Sequence, residues 1–386
     1  MAESTYDAIV VGARVAGAAT AMLLARQGRR VLVVDRDRYG TDTLSTHALM
    51  RGAVYLLTQW GLLDRLVDAD TPPIRQTRFD YGDDSMTVTI KPTLGVESLY
   101  APRRTVLDAL LVDAAITAGA EIRYGVTMTD LVWDGCGRVV GVRGRDRSGD
   151  AITARAPLTI GADGVRSAVA TAAGAATVRT GAGGGAVIYG YWSQLPVDGL
   201  EWFYRPGHSA GLIPTNANQV CVFAGAPPEQ LLTQRDGLTR TYHRLLHAAT
   251  GGAAGRLDRA RAPGRLRTWI GRPSFVRQAH GPGWVLVGDA GSFFDPLSTH
   301  GITDALRDAD MLARSLAEAR ADGDVDGALA RYGHGRDQIV GSMFDVVDQI
   351  ASYGWSQAQL RQHLLELSSA MSSEAQSIAN AERVVS

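Results

Sequence analysis

The residues best placed to do chemistry together lie at positions 285–303, VLVGDAGSFFDPLSTHGIT. An apolar run, Val285 to Val287, ends at Gly288-Asp289, and beyond a Pro-Gly loop a helix should begin near Ile302. A buried strand that delivers an acid at its end can accept hydrogen bonds from ligand hydroxyls. A helix start adds unpaired N–H groups and a positive dipole end. Together they could grip a polar cofactor. The alternative is an ordinary strand, turn and helix of an α/β domain.

A second device lies near the N-terminus. DAIVV (Asp7 to Val11) has a buried-strand pattern, VGARVAG is a small-residue turn, AATAMLLARQG reads as a helix ending at Gly28, and VLVVD is a second strand ending at Asp35. This is a βαβ unit of the dinucleotide-binding type, in which glycines serve the tight turn and the close helix–strand contact. The carboxylate about 20 residues on binds ribose hydroxyls. Gly12, Gly17 and Asp35 fill these roles, whereas the middle glycine of G-x-G-x-x-G is replaced by Arg14. A side chain there must point away from the phosphates or bind them itself.

The elements that must position these groups follow from periodicity. TDTLSTH is a polar loop, in which His47 reads more readily as a loop residue without a role than as a functional one, and ALMRGAVYLLTQWG is a helix. RFDYGDDSMTVTIK predicts a β-hairpin around Gly82-Asp83-Asp84. A helix starts near Thr105 beside Arg103 and Arg104, is capped by Gly119 and leads into a strand. LTIGAD is a strand ending at Asp163-Gly164. Gly12, Asp163 and Asp289 thus mark three strand ends, and in a doubly wound sheet such ends converge on one crevice. From about 170 to 280 the short, aromatic-rich strands and Gly, Pro and Asn turns predict an antiparallel sheet. Tyr189 and Tyr191 share one face of it, as do Trp202 and Tyr204, as core packing or as the wall of an apolar pocket. TRTYHRLLHAAT is a helix, Gly251 to Gly255 a flexible turn, residues 304–320 a long helix, and 326 onward helical.

Composition narrows the classes. With 386 residues, 45% hydrophobic and 20% charged, the chain is long enough for two globular domains. A net charge of −1 provides no field favouring nucleic acid. Lys91 is the only lysine, and Cys136 and Cys221 have no metal or redox spacing. No apolar run approaches the roughly 20 residues of a membrane span. No charged-then-apolar leader precedes the strand at Ala8, so a cytoplasmic protein is expected.

The ordered motifs GARVAG…VVD, RRTVLD, GADGVRS and GDAGSFFDP…HGI resemble those of the FAD-dependent aromatic hydroxylase superfamily, which includes geranylgeranyl reductase-like enzymes and flavin halogenases. The resemblance covers roughly residues 5–170 and 280–325. It implies a doubly wound, Rossmann-like FAD-binding domain built from residues 1–75, 98–170 and 280–325. It also implies an inserted antiparallel or mixed β-sheet substrate domain, 76–97 and 171–279, and a C-terminal helical segment, 326–386. By position, Gly12, Ala16 and Gly17 would face the pyrophosphate, Asp35 with Arg36 the adenosine ribose, and Met128, in the strand after Gly119, the adenine. Arg104 would contact FAD near the flavin or its phosphates, and Asp163 belongs to a motif associated with FAD and NAD(P)H. Asp289 would bind the ribityl chain, Pro296 would line the flavin face, and the amides of Gly301, Ile302 and Thr303 would meet its pyrimidine end.

The first function this implies is monooxygenation. NAD(P)H reduces FAD, and O2 adds to give a flavin hydroperoxide that oxygenates an aromatic or polyketide-like substrate. Few catalytic side chains are then needed. His300, beside Gly301, is the best-placed titratable group, followed by His47 and Tyr191, and no metal is expected. The alternatives are a carbon–carbon double-bond reductase of the geranylgeranyl reductase type and, less directly, a non-catalytic flavin-binding protein. A halogenase is disfavoured because Lys91 sits in the predicted hairpin and YWSQLP matches W-x-W-x-I-P poorly.

Overall fold

A computed structural model describes residues 6–232, 237–319 and 323–383. Residues 320 and 384–386, expected to be helical, lie outside the described residues. The fully apolar runs of the sequence form a six-stranded sheet. Its order is His280–Gly281, Trp284–Leu286, Thr159–Gly161, Ala8–Val11, Val31–Asp35, Glu121–Tyr124. All neighbours are parallel except the first pair. Strands buried on both faces need no polar alternation, which is why AIVV, VLVVD and WVL read as continuous apolar segments. The three strands ending near Gly12, Asp163 and Asp289 lie side by side at the centre.

The helix Val15–Arg26 packs on this sheet through Ala18, Ala19, Ala21, Met22 and Leu24, all fully buried. Its alanines let backbones approach closely, and the helices Arg104–Thr117 and Gly301–Glu318 share the same core.

The aromatic-rich segment forms a seven-stranded sheet. Its order is Arg267–Trp269, Ala186–Ser193, Gln219–Ala226, His208–Thr215, Leu200–Arg205, Gln76–Asp80, Ser85–Thr89. It is mixed, because Leu200–Arg205 pairs in parallel with Gln76–Asp80, the first strand of the hairpin. On one face lies the helix Leu238–Thr250, with Tyr242, Leu245 and Leu246 against Ile188, Phe203 and Val222. On the other, Phe344, Val347 and Leu360 of the helices Val325–Ala351 and Gln357–Arg383 meet Trp202, Tyr204 and Phe223. Trp202 and Tyr204 are therefore core residues.

Two local expectations differ. The helix after the His47 loop begins only at Arg51, because Leu49 is tied into a bridge with Tyr100 (N–H to O, 2.8 Å). The segment expected to be a flexible turn at Gly251 is a 3-10 helix, Gly251–Arg259, continuing the preceding helix.

Tyr242 shows how a buried hydroxyl is retained in this core. Its oxygen accepts from Trp192 Nε1 (2.9 Å) and donates to Val222 O (3.0 Å). Tyr242→Phe orphans the indole N–H and is expected to cost about 1–3 kcal/mol in urea denaturation. The absorbance of bound flavin should not change.

Candidate cofactor and active site

The central strand ends open onto a cleft of about 840 Å³, lined by Ala16, Arg104, Asp289, Pro296, His300, Gly301 and Ile302, with His47, Phe293 and Phe294 on the side of the aromatic sheet. A narrower groove of about 250 Å³ continues past Ala13 and Arg14 to Asp35 and Arg38. Of the residues singled out in the sequence, Ala16, His47, Arg104, Asp289, Pro296, His300, Gly301 and Ile302 line the cleft and Asp35 lines the groove.

At the groove the geometry is tight. Gly12 has φ +106°, and a Cβ there would lie 2.4 Å from Ala162 O. A Cβ on Gly17 would lie 1.8 Å from Gly12 O, so the first turn of the helix sits directly on the strand end. Arg14 has φ −87°, a conformation open to any residue. Its guanidinium turns to Asp37 and Asp108 (3.0 Å each) and to Thr41 O (2.6 Å). The substitution of arginine for glycine therefore leaves the turn intact. Asp35 accepts from Ala13 N (2.6 Å) and Asp37 N (2.7 Å), which fixes its carboxylate at the groove. Asp108 also holds Arg104 (2.8 and 3.1 Å), tying the two ends of the site together.

Three expectations are placed differently. Arg36 is exposed and lines neither cavity; Arg38 lines the groove instead. Met128 lies in Thr127–Trp133, one strand later than expected, and its side chain packs in a small core with Tyr6 and Val34. The Asp163 carboxylate accepts from Ser167 Oγ (2.5 Å) and from Ala168 and Val169 N (2.6 and 3.2 Å), so it secures the start of the helix Ala168–Ala172, while its neighbours Ala162 and Gly164 line the cleft.

Asp289 accepts no hydrogen bond from any described residue, and burial, then Asp304, pushes its carboxyl up to about 7. The helix Gly301–Glu318 starts beside it; a Cβ on Gly301 would lie 3.9 Å from Asp289 Oδ1. The first intrahelical bond is Asp304 N to His300 O (3.0 Å), leaving the amides of Gly301, Ile302 and Thr303 free of helix partners. The buried Thr303 hydroxyl is likewise unpartnered. An acid without donors, a helix N-terminus and glycines that admit no Cβ together fit a dinucleotide carrying hydroxyls and a partial negative charge. FAD would be held by the Gly12–Gly17 turn and Asp35 at one end and by Asp289 and the 301–303 amides at the other.

His47 is no idle loop residue. It is 1% exposed, has a left-handed backbone (φ 71°), and its Nε2 lies 2.5 Å from Tyr191 Oη. Burial, then Arg104, Arg103 and Arg267, lowers its pKa well below the ordinary value. Burial raises that of Tyr191, over whose ring the Arg103 guanidinium stacks at 3.6 Å. Both groups are therefore neutral at pH 7, and His47 Nδ1 has no protein partner.

His300 is 1% exposed and its Nε2 meets Glu374. Arg307 donates to Asp304, to Glu374 Oε1 (2.6 Å) and to Asp308 (2.7 Å), and Asp308 accepts from Gly288 N (2.9 Å). The trio His300, Asp304 and Glu374 has metal-ligand types within 4.8 Å. Arg307, donating to both acids, makes it an ion-pair network. The spacing of Asp304, Arg307 and Asp308 on an otherwise apolar helix face was a legible signal for this network. Nothing local marks Glu374.

The model of the family described as FAD binding domain matches residues 5–347. Protein FixC of Salmonella typhi is 30% identical over 243 residues, 60% of this chain and 52% of that protein, so the chain spans about half the length of the FixC proteins it matches. Digeranylgeranylglycerophospholipid reductase of Methanocella arvoryzae is 26% identical over 341 residues, 86% of this chain and 82% of the reductase. Among solved structures, PqsL, a probable FAD-dependent monooxygenase from Pseudomonas aeruginosa, superposes with a TM-score of 0.74 at 18% identity. That match covers 94% of this chain and 99% of PqsL, and it speaks for the fold.

Proposed function

The chain belongs to the FAD binding domain family, and from that membership we propose that it is an FAD-dependent monooxygenase. It uses NAD(P)H and O2 to hydroxylate or epoxidise a small aromatic or polyketide-like molecule, releasing water and NAD(P)+. Hydride uptake and oxygen transfer are the cofactor's chemistry; the protein's residues bind, orient and move protons.

The observation that carries this reading is His47 on the cleft wall, backed by Tyr191. A wholly aliphatic chain against this pair would leave its polar atoms unpaired, at a cost of roughly 1–3 kcal/mol per group. A substrate hydroxyl satisfies them. In the tautomer that donates Nε2–H to Tyr191 Oη, His47 Nδ1 accepts a hydrogen bond from the hydroxyl of a phenolic substrate and makes its ring more electron-rich. Because burial and the nearby arginines hold His47 neutral, this acceptor is available across the neutral range. Phe293 and Phe294 supply apolar cover on the same wall, and the acid and amides around Asp289 and Ile302 orient FAD.

The test is NAD(P)H oxidation by FAD-loaded protein, with and without O2, on a panel of phenols and polyketides. Oxygen-dependent, coupled hydroxylation supports the proposal; oxidation that never yields an oxygenated product sinks it. His47→Ala, which removes this acceptor, is expected to slow turnover of a phenolic substrate by ~3–10-fold, with FAD occupancy unchanged. A specific second reading rests on the 86% of this chain aligned with the archaeal reductase: hydride transfer to an isolated double bond. Turnover of an alkene under nitrogen distinguishes it. No described helix is long and apolar enough to cross a membrane.

A further inference from the structure

We propose that Glu374, on the C-terminal helix, is a positioning residue for the cofactor site, holding His300 as an imidazolium whose Nδ1–H is a fixed cationic donor at the start of the Gly301–Glu318 helix. Glu374 lies beyond the residues matched by the family model, and it reaches the site only because the helix Gln357–Arg383 folds back over the helix Arg51–Gln59. Its two oxygens are divided: Oε1 accepts from Arg307 and Oε2 faces His300 Nε2.

Charge balance favours the imidazolium. Arg307 alone faces three carboxylates, Asp304, Asp308 and Glu374, all buried. One cation cannot neutralise the ionised acids among these: burial raises the Asp304 carboxyl, Glu374 despite its burial is held low by His300 and Arg307, and a proton on His300 supplies the second positive charge for Asp308 and Glu374. The groups facing His300 are Glu374 from the C-terminal helix and Asp304 and Arg307 from its own helix; Asp289 and Arg104 line the same cleft. Burial alone would strip the proton, but Glu374 and then Asp304 outweigh it and raise the His300 pKa. With Nε2 committed to Glu374, the buried Nδ1 has no partner among the described residues, and His300 lines the cleft beside Gly301 and Ile302. A cation there favours FAD in its reduced state, which carries more negative charge. A neutral ring would instead present a lone pair.

This inference requires FAD binding but no particular reaction, and its readouts need no substrate. Side-chain 15N NMR of the wild-type holoprotein, with the His300 signals assigned by their loss in His300→Gln, is expected to show a doubly protonated ring at pH 7, above the ordinary imidazole range. A neutral His300 at pH 7 overturns the proposal without relying on any variant at Glu374. The midpoint potential of bound FAD supplies the second readout. Glu374→Gln is expected to reduce the preference for reduced over oxidised FAD about tenfold, a fall of about 30 mV for a two-electron couple, while Glu374→Asp retains the wild-type value. In a His300→Gln background the same Glu374→Gln change should add nothing. An unchanged potential in Glu374→Gln, or an equal shift without His300, means that Glu374 only braces the helix, and the proposal fails.

Discussion

Asp289→Asn should make the cofactor-free protein more stable at pH 8 while weakening its hold on FAD. Burial and the neighbouring Asp304 push this carboxyl up to about 7 from an ordinary value of 3.8. The folded chain then binds the proton more tightly than the unfolded chain does. Folding therefore loses stability as pH rises from about 4 through 7, and the loss is complete above that range. An amide carries no such charge, and the expected gain is about 1–3 kcal/mol at pH 8, shrinking to nothing near pH 4. Thermal melts of the FAD-free wild type and variant at both pH values check this; equal melting temperatures at pH 8 would show that the acid is not under strain. Asp289→Ala should also lose a charge-assisted hydrogen bond to the cofactor, weakening FAD binding by ~10–100-fold. A variant that elutes fully flavinated from dilute gel filtration would remove Asp289 from the binding set.

The second large effect is expected at the first turn. Gly17→Ala places a methyl 1.8 Å from Gly12 O, against backbone that cannot yield without parting the helix from its strand. Overpacking of this kind costs about 1–3 kcal/mol where side chains can adjust, and here the obstruction is main chain. Loss of both FAD binding and several kcal/mol of stability follows. Arg14→Gly, at a position with ordinary φ, should keep the fold and lose only the ties to Asp37, Asp108 and Thr41 O. If Gly17→Ala purified yellow with wild-type denaturant midpoint, the close contact would have no energetic meaning.

The legible part of this architecture is the part written in local chemistry. The Gly12 turn, Asp35, and the Gly288-Asp289 strand end each carry their own spacing, and the three central strand ends converge as their sequence pattern implied. Asp163 was legible as a strand-end acid but not as the anchor of the Ala168–Ala172 helix, because its partners are backbone amides that any sequence provides. His47 was ambiguous for a related reason. Its partner Tyr191 stands on a sheet strand 144 residues away. Glu374 lies 74 residues from His300, on a helix whose own periodicity reports only burial. Arg36 and Arg38 illustrate the limit of position matching: two positions along a turn decide which side chain faces the groove.

The strand order has a consequence for biosynthesis. Ala8–Val11 and Thr159–Gly161 lie next to each other, but Trp284–Leu286 must pair with Thr159–Gly161 before Asp289 can face the Gly12 turn. At synthesis rates of ~5–20 residues per second the first strand waits on the order of tens of seconds for the last. The emerging chain cannot hold its cofactor during that interval, and the Glu374 contact forms later still. Flavin supply is therefore expected to matter to this protein only after residues 284–303 have left the ribosome, when one binding event secures strands that were made far apart in time.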